Sequence, residues 1–277
     1  MNTRSMSWSQ AGDIHQCQKM WYHKYVLCDV PDSLNMAMAL GTLVHTAAEN
    51  FFISGLSKQN SNVTKRLDIA ARHAWDNRPS NPLFNWGDDH RRKLKLAMYS
   101  LEEMFKLKKL EVGRMSLERK MRMGFKKNWT LVGVADMVAL EGKNLVLTDF
   151  KTGRLKQRHD APVEQVALYG WMWDQIDGNR PVDKLSIAYL GVPWQRYKWD
   201  EFKFIQKQSV KKIDLAVSVA QGILDGDEAE PSVSALCGWC PAVDKCEPGA
   251  EYVTKRIAQG KSVSDQAVQL LSERKED

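Results

Sequence analysis

The 277-residue sequence has no apolar run long enough to span a bilayer, no internal repeat and no low-complexity linker. Its first ten residues, MNTRSMSWSQ, lack the apolar stretch of a secretory signal. A membrane-spanning or exported protein is not expected, and a cytoplasmic one is. Cysteine is scarce and odd in number, with five residues. In a reducing compartment, clustered cysteines read as metal ligands rather than disulfides. What is present is an apolar fraction of 43%, enough for a core, and a net charge of +6. That excess mildly favours a polyanionic partner.

The order of periodicities predicts helices first. One is expected over 7–28, capped by Ser7 or Ser9 and broken at Pro31 and Asp32. Others are expected over 36–54, 62–76 and 90–111, with a Pro/Asn/Gly-rich loop at 79–90. Alternation then takes over: strands over 114–124 and 129–140, a turn at Glu141-Gly142-Lys143-Asn144, and a strand over 145–150. A helix opening at Pro162, strands over 184–192 and 195–204, a helix over 206–224 and a polar C-terminal segment that frays complete the reading. The fold class expected is α/β. The whole chain, 1–277, is expected to form one domain: helical part 7–113, β-sheet core 114–204, and C-terminal helix, cysteine loop and tail 205–277.

Chemistry concentrates in Gly133-x-x-Asp136 and Asp149-x-Lys151. Asp136 lies about five residues before the 141–144 turn and Asp149 about five after it. The two carboxylates can therefore sit side by side across an antiparallel pair. Asp149 and Lys151, two apart, share a strand face. Two carboxylates can hold a hard divalent cation, with the Phe150 main-chain carbonyl as a further oxygen ligand. Lys151 can orient a water or stabilise developing charge. His45, in a helix with Glu49 one turn later, adds an imidazole that shifts metal preference toward manganese. Taken singly, each motif is more often an ordinary turn aspartate, a chance D-x-K or a core or surface histidine.

Gln165 and Tyr169 share one helix face. They are candidate contacts to a substrate backbone, with Tyr169 buried beside Trp173 as the alternative. Basic residues follow the same region: Arg119, Lys120, Arg122, Lys126, Lys127, Arg154, Lys156 and Arg158. Trp129, Trp194, Tyr197 and Trp199 are interleaved with them as candidate stacking rings.

Cys237-x2-Cys240-x5-Cys246 is a soft-metal loop, and the distant Cys17 can complete four thiolates. Zinc and an iron–sulfur cluster both suit such a set; Cys28 is left over.

Read in order, Cys17, Gly41-x3-His45, Gly133-x2-Asp136, Asp149-x-Lys151, Gln165-x3-Tyr169 and the three-cysteine loop resemble the RecB-type branch of the PD-(D/E)xK nuclease superfamily. More narrowly they are similar to its iron–sulfur members: CRISPR-associated RecB-like exonucleases, AddB nuclease domains and phage relatives. The resemblance runs from residue 7 to residue 248. It departs at Gln18, where a proline is frequent after the first cysteine, and keeps Pro241 after Cys240. It implies a restriction-endonuclease-like αβββαβ core and a Mg2+- or Mn2+-dependent DNA exonuclease of a bacterial or phage-infected cell. It also implies His45, Asp136, Asp149 and Lys151 at the catalytic positions, and a [4Fe-4S] cluster on Cys17, Cys237, Cys240 and Cys246. Single-stranded DNA or DNA ends are the expected substrate, and a protein partner is compatible with it. The alternatives are a non-catalytic DNA-end-binding or partner-recruiting module and a redox-sensing cluster protein.

Overall fold

The computed structural model describes residues 4–31, 36–53, 63–80, 84–108, 115–126, 128–152, 160–176, 178, 180–190, 196–198 and 202–274. These residues group into two compact units, one of 1–5 and 34–210, the other of 6–33 and 211–277.

The first unit is built on a sheet. Strands β2 (Met115–Lys126) and β3 (Trp129–Glu141) pair antiparallel, and β3 pairs antiparallel with β4 (Asn144–Lys151). The β3–β4 turn closes at the Glu141↔Asn144 pair, with Gly142 at φ 62 where a Cβ would be strained. β4 then runs parallel to β5 (Lys184–Tyr189), the crossover being the helix α6 (Asp160–Gln175). A short β6 (Arg196–Lys198) returns antiparallel on β5, and a three-residue β1 (Arg4–Met6) joins β3. This is a mixed α/β architecture with a central sheet and the αβββαβ order.

Before the sheet come α3 (Met36–Ile53), α4 (Val63–Asp76) and α5 (Asp88–Lys108). Their apolar stripes, including Val44, Ala47, Phe51, Leu67, Leu94 and Leu101, pack with Met137, Ala139 and Phe150 of the sheet. That packing fixes the helix carrying His45 against the strands carrying Asp136 and Asp149. α6 approaches β5 closely at Gly170, where a Cβ would lie 2.6 Å from Leu185 Cδ2.

The second unit joins residues 6–33 to residues 211–277. α1 (Trp8–Gln16) opens on a Ser7/Gln10 capping box. The single helix expected over 7–28 is broken instead at Cys17, whose backbone is extended at φ −166, ψ 112. α2 (Gln18–Tyr22) follows, then a π-helical turn over His23–Leu27. α7 (Phe202–Asp225) starts earlier than the expected 206, and only Arg196–Lys198 of the expected 195–204 strand is described as a strand. The tail is not a fraying segment. α8 (Glu247–Ala258) and α9 (Asp265–Glu273) bury Ala250, Val253, Ala267 and Leu271 around Val243. Apolar residues three apart in α8 and four apart in α9, inside a charged stretch, carry that burial.

Gly170→Ala is expected to lower stability by about 1 kcal/mol. Overpacking against Leu185 outweighs the helix-propensity gain of roughly the same size. A denaturant midpoint equal to or above the parent's would contradict the close approach.

Candidate functional site

Asp136 lies in the middle of β3, not at its end, and Asp149 lies near the end of β4. Their register follows from the turn, since the ladder pairs Met137 with Thr148 and the next step is Asp136 opposite Asp149. At that step the carboxylate takes the place of the ladder: the Phe150 backbone N–H donates to Asp136 Oδ2 at 2.5 Å. Phe150 thus meets the site through its main chain, while its ring is buried against α3, edge-on to His45 at 6.1 Å.

His45 Nδ1 lies 3.4 Å from Asp136 Oδ1 and 3.4 Å from Glu118 Oε1. The ligand atoms of His45, Glu118 and Asp136 all fall within 4.8 Å of one another, the spacing of a metal site. Among the described residues, Glu49 is not part of that group. Burial opposes a charged imidazole at His45. The hydrogen-bonding carboxylates of Asp136 and Glu118 outweigh it and raise the pKa to about 10.

Glu118 has no counterpart in the sequence reading, which treated 114–124 as plain alternation. It falls opposite Asp136, in a ladder that pairs Leu117 with Met137 and Arg119 with Ala135. Its backbone is left-handed at φ 46. A non-glycine residue in that region costs roughly 1–2 kcal/mol. Such conformations persist where the surroundings hold a side chain to a task.

Asp149 is 2% exposed. Burial pushes its pKa up to about 7, with Lys151 pulling it down and Asp136 adding to the rise. Lys151 Nζ sits 2.9 Å from Asp149 Oδ2. The contact is an ion pair rather than an aligned hydrogen bond, and Oδ2 is otherwise a buried acceptor without a donor. Lys151 instead donates to Gln165 Oε1 at 2.9 Å, and Gln165 Nε2 donates to Tyr169 Oη at 3.0 Å. Both polar groups of the Gln165-x3-Tyr169 motif are thus engaged within the protein. Tyr169 is buried, and burial is the main cause that pushes its hydroxyl to about 12.

Of the basic residues, Arg119, Lys120, Arg122 and Lys126 are exposed along β2. Lys127, Arg154, Lys156 and Arg158 lie outside the described residues, as do Trp194, Trp199 and the side chain of Tyr197. Trp129 is 3% exposed, so it is a core residue and not a stacking platform for bases.

The second unit gathers four cysteines. Cys17, Cys237, Cys240 and Cys246 line one pocket together with Pro231, Ser232, Ala242, Val243 and Gly249. The Ser232 N–H points to Cys17 Sγ and the Ser234 N–H to Cys237 Sγ, both at 3.4 Å. A Cβ on Gly249 would come within 3.2 Å of Cys246 Sγ and 3.9 Å of Cys237 Sγ, so the missing side chain leaves room for the sulfurs. Burial pushes the Cys240 thiol up to about 12, with the other three cysteines adding to the rise. Cys246 is raised for the same leading reason. Cys28 stands apart and exposed. No described helix is long and apolar enough to cross a membrane.

Carboxylates of the neighbouring strands β2, β3 and β4 gather beside a lysine and a histidine borne on α3, in an α/β fold of nuclease type. The profile of the PD-(D/E)XK nuclease superfamily matches residues 5–247, and the chain belongs to that superfamily. Among solved structures, it is similar to a protein from Eubacterium rectale provisionally named an exonuclease, at 12% identity and a TM-score of 0.55. That likeness covers 90% of this chain and 88% of the other, and it concerns the fold. SSO0001 is similar over 89% of this chain and 87% of its own, at 11% identity and a TM-score of 0.39. Protein VC1899 from Vibrio cholerae follows over 75% and 57%, at 12% identity and a TM-score of 0.25. No curated protein matches the sequence.

Glu118→Gly is expected to be more stable than Glu118→Ala by about 1 kcal/mol in chemical denaturation. Both lose the carboxylate, and only glycine relieves the left-handed backbone. Equal midpoints would mean that no strain resides at this position.

Proposed function

We propose that the protein is a divalent-metal-dependent deoxyribonuclease of RecB type, acting on single-stranded DNA or DNA ends as an exonuclease. The observation that carries this reading is the convergence of His45, Glu118, Asp136, Asp149 and Lys151 at one end of the β3–β4 pair. The donor set fits a hard cation: clustered carboxylate oxygens and one imidazole, with the buried Asp149 carboxylate paired to the Lys151 ammonium beside them. Asp136, Asp149 and His45 would hold the ion with the Phe150 carbonyl, and Glu118 lies within reach of the same position. A bound Mg2+ or Mn2+ supplies charge neutralisation at the phosphate and a more acidic water.

The chain's own residues do the rest. Asp136 is held in place by the Phe150 N–H and His45. Lys151 is held between Asp149 and Gln165, so its ammonium is fixed rather than swinging in solvent. A fixed cation beside the metal position can orient a water or stabilise charge on the phosphate oxygens. Asp149, at about 7, binds a proton near neutrality, and an incoming cation competes with it. The exposed basic residues of β2 suit a phosphate backbone, and Arg154 and Lys156 are proposed to extend that contact. Both units are read as parts of one nuclease domain.

We read the four cysteines as ligands of a structural [4Fe-4S] cluster, with zinc the competing occupant. Four sulfurs converge on one pocket, where burial raises the Cys240 and Cys246 thiols, and a cation would be needed to hold them as thiolates. The same pocket suits either occupant, and the preference for the cluster rests on the resemblance carried by Cys17 and Cys237-x2-Cys240-x5-Cys246.

With manganese or magnesium, the protein is expected to degrade end-labelled linear DNA. Asp149→Asn and Lys151→Ala should each reduce turnover at least about 100-fold with DNA binding retained. Binding without cleavage by the parent under any divalent metal would instead indicate a non-catalytic DNA-end-binding module. Protein purified anaerobically is expected to be brown and to contain about four irons per chain. Cys17→Ala or Cys240→Ala should lose the colour and lower stability. A colourless parent carrying stoichiometric zinc overturns the cluster.

A further inference from the structure

We propose that Gly133 is a positioning residue for Lys151, acting through Tyr169 and Gln165, an inference that rests on Lys151 being part of the nuclease site. A Cβ built on Gly133 would lie 2.8 Å from Tyr169 Cε1, 3.2 Å from Cδ1 and 3.5 Å from Cζ. Contacts under 3.0 Å do not persist, so any side chain here must move the ring. The ring has little freedom to move. It is 8% exposed, and its hydroxyl is engaged by Gln165 Nε2 at 3.0 Å and by the Val134 backbone. Gly133 is thus a slot in β3 that receives the Tyr169 ring from α6.

The slot sets the polarity of the hydrogen-bond chain beyond it. Lys151 has only donors, so it must meet the Gln165 oxygen, as it does at 2.9 Å. That leaves the Gln165 amide nitrogen as a donor, and Tyr169 Oη is the acceptor it finds. A flip of the amide would turn its nitrogen toward the ammonium and lose the bond to Lys151. The ring in the slot fixes Oη, Oη fixes the amide, and the amide holds the ammonium 2.9 Å from Asp149 Oδ2. Two motifs that look independent in sequence, Gly133-x-x-Asp136 and Gln165-x3-Tyr169, are one mechanical part. The glycine makes room for the tyrosine, and the tyrosine orients the lysine. Gly133, Gln165 and Tyr169 need not touch DNA for their loss to slow the reaction.

A double-mutant cycle on manganese-dependent cleavage of linear DNA tests this. Gly133→Ala and Gln165→Ala should each lower kcat about 10–100-fold, the scale expected when a catalytic group is displaced by about an ångström. KM for DNA should stay within about twofold, because binding is unaffected. Manganese affinity should equal the parent's. The double variant should be no slower than the slower single variant, since both break the same chain. Losses that multiply, or a rise in KM with kcat preserved, overturn the positioning role. Should Gly133→Ala fail to fold, Gly133→Ala/Tyr169→Leu, which empties the slot, is expected to regain a cooperative thermal transition, and continued misfolding overturns the slot. Lys151→Ala is run alongside. Parent-like turnover in that variant sinks the nuclease assignment itself, whereas an inactive Lys151→Ala beside an additive cycle sinks only the relay.

Discussion

Two aspartates face each other across β3 and β4, and one of them is almost wholly removed from water. Burying a carboxylate costs several kcal/mol unless it is paired and hydrogen-bonded. Everything around the site answers that cost. The Phe150 N–H leaves the strand ladder to bond Asp136. His45 is brought in on α3, and its proton is held tightly because two carboxylates surround it. Lys151 neutralises Asp149 and is itself held by Gln165. The helices α3 to α5 and the crossover α6 pack where they do partly so that these partners arrive on both sides of the strand pair. Removing one partner leaves an uncompensated buried charge, so the site's parts stand or fall together.

How much of this was legible in sequence depends on the range of the interaction. The Asp136–Asp149 juxtaposition needs only a turn and a count of residues. A glycine in a left-handed turn at 142 fixes the register, and period-two alternation does the rest. Glu118 was not legible. Its side chain meets His45 because one residue of β2 adopts φ 46, and nothing in an alternating strand announces that conformation. Cys17 shows the same limit. Residues 7–28 carry a helical pattern, and local propensity favours continuing it. A single extended residue interrupts the helix where its sulfur joins the three on the C-terminal loop. The tail was misjudged for the opposite reason. Its charge content suggested solvent, but Ala250, Val253, Ala267 and Leu271 are small or sparse apolar residues that make a core only once two helices and the cysteine loop meet.

The cysteine pocket and the acidic site belong to separate compact units, and each is assembled from distant parts of the chain. The acidic site is pinned by sheet register and helix packing, which are cooperative and continuous with a large core. The cysteine unit has a smaller core, and its helices α1 and α2 come from the far end of the sequence. Bringing such remote segments together carries a loop-closure entropy that grows only slowly with length. A four-ligand centre is well suited to offset it. For the proposed centre, this is a physical reason for the four cysteines to be split, one near the start of the chain and three near its end. A centre whose ligands all lay on the C-terminal loop would order that loop alone.

The charge balance of the acidic site points the same way as its geometry. Glu118, Asp136 and Asp149 bring three negative charges; protonated His45 and Lys151 bring two positive ones. The metal-free site therefore carries one negative charge in excess. Its two perturbed groups are the means by which protein alone contains that excess: His45 keeps its proton to about 10, and Asp149 takes one up near 7. A divalent cation that replaced the His45 proton would leave three negative charges against three positive ones. The ion would turn the imidazole into a neutral ligand and, with Lys151, oppose the burial and the Asp136 charge that raise Asp149. That balance is what the proposed divalent cation would bring to the site. Lys151 alone among the cationic groups would remain free to act on a phosphate, and its direction is set by the Gln165 oxygen rather than by the ion.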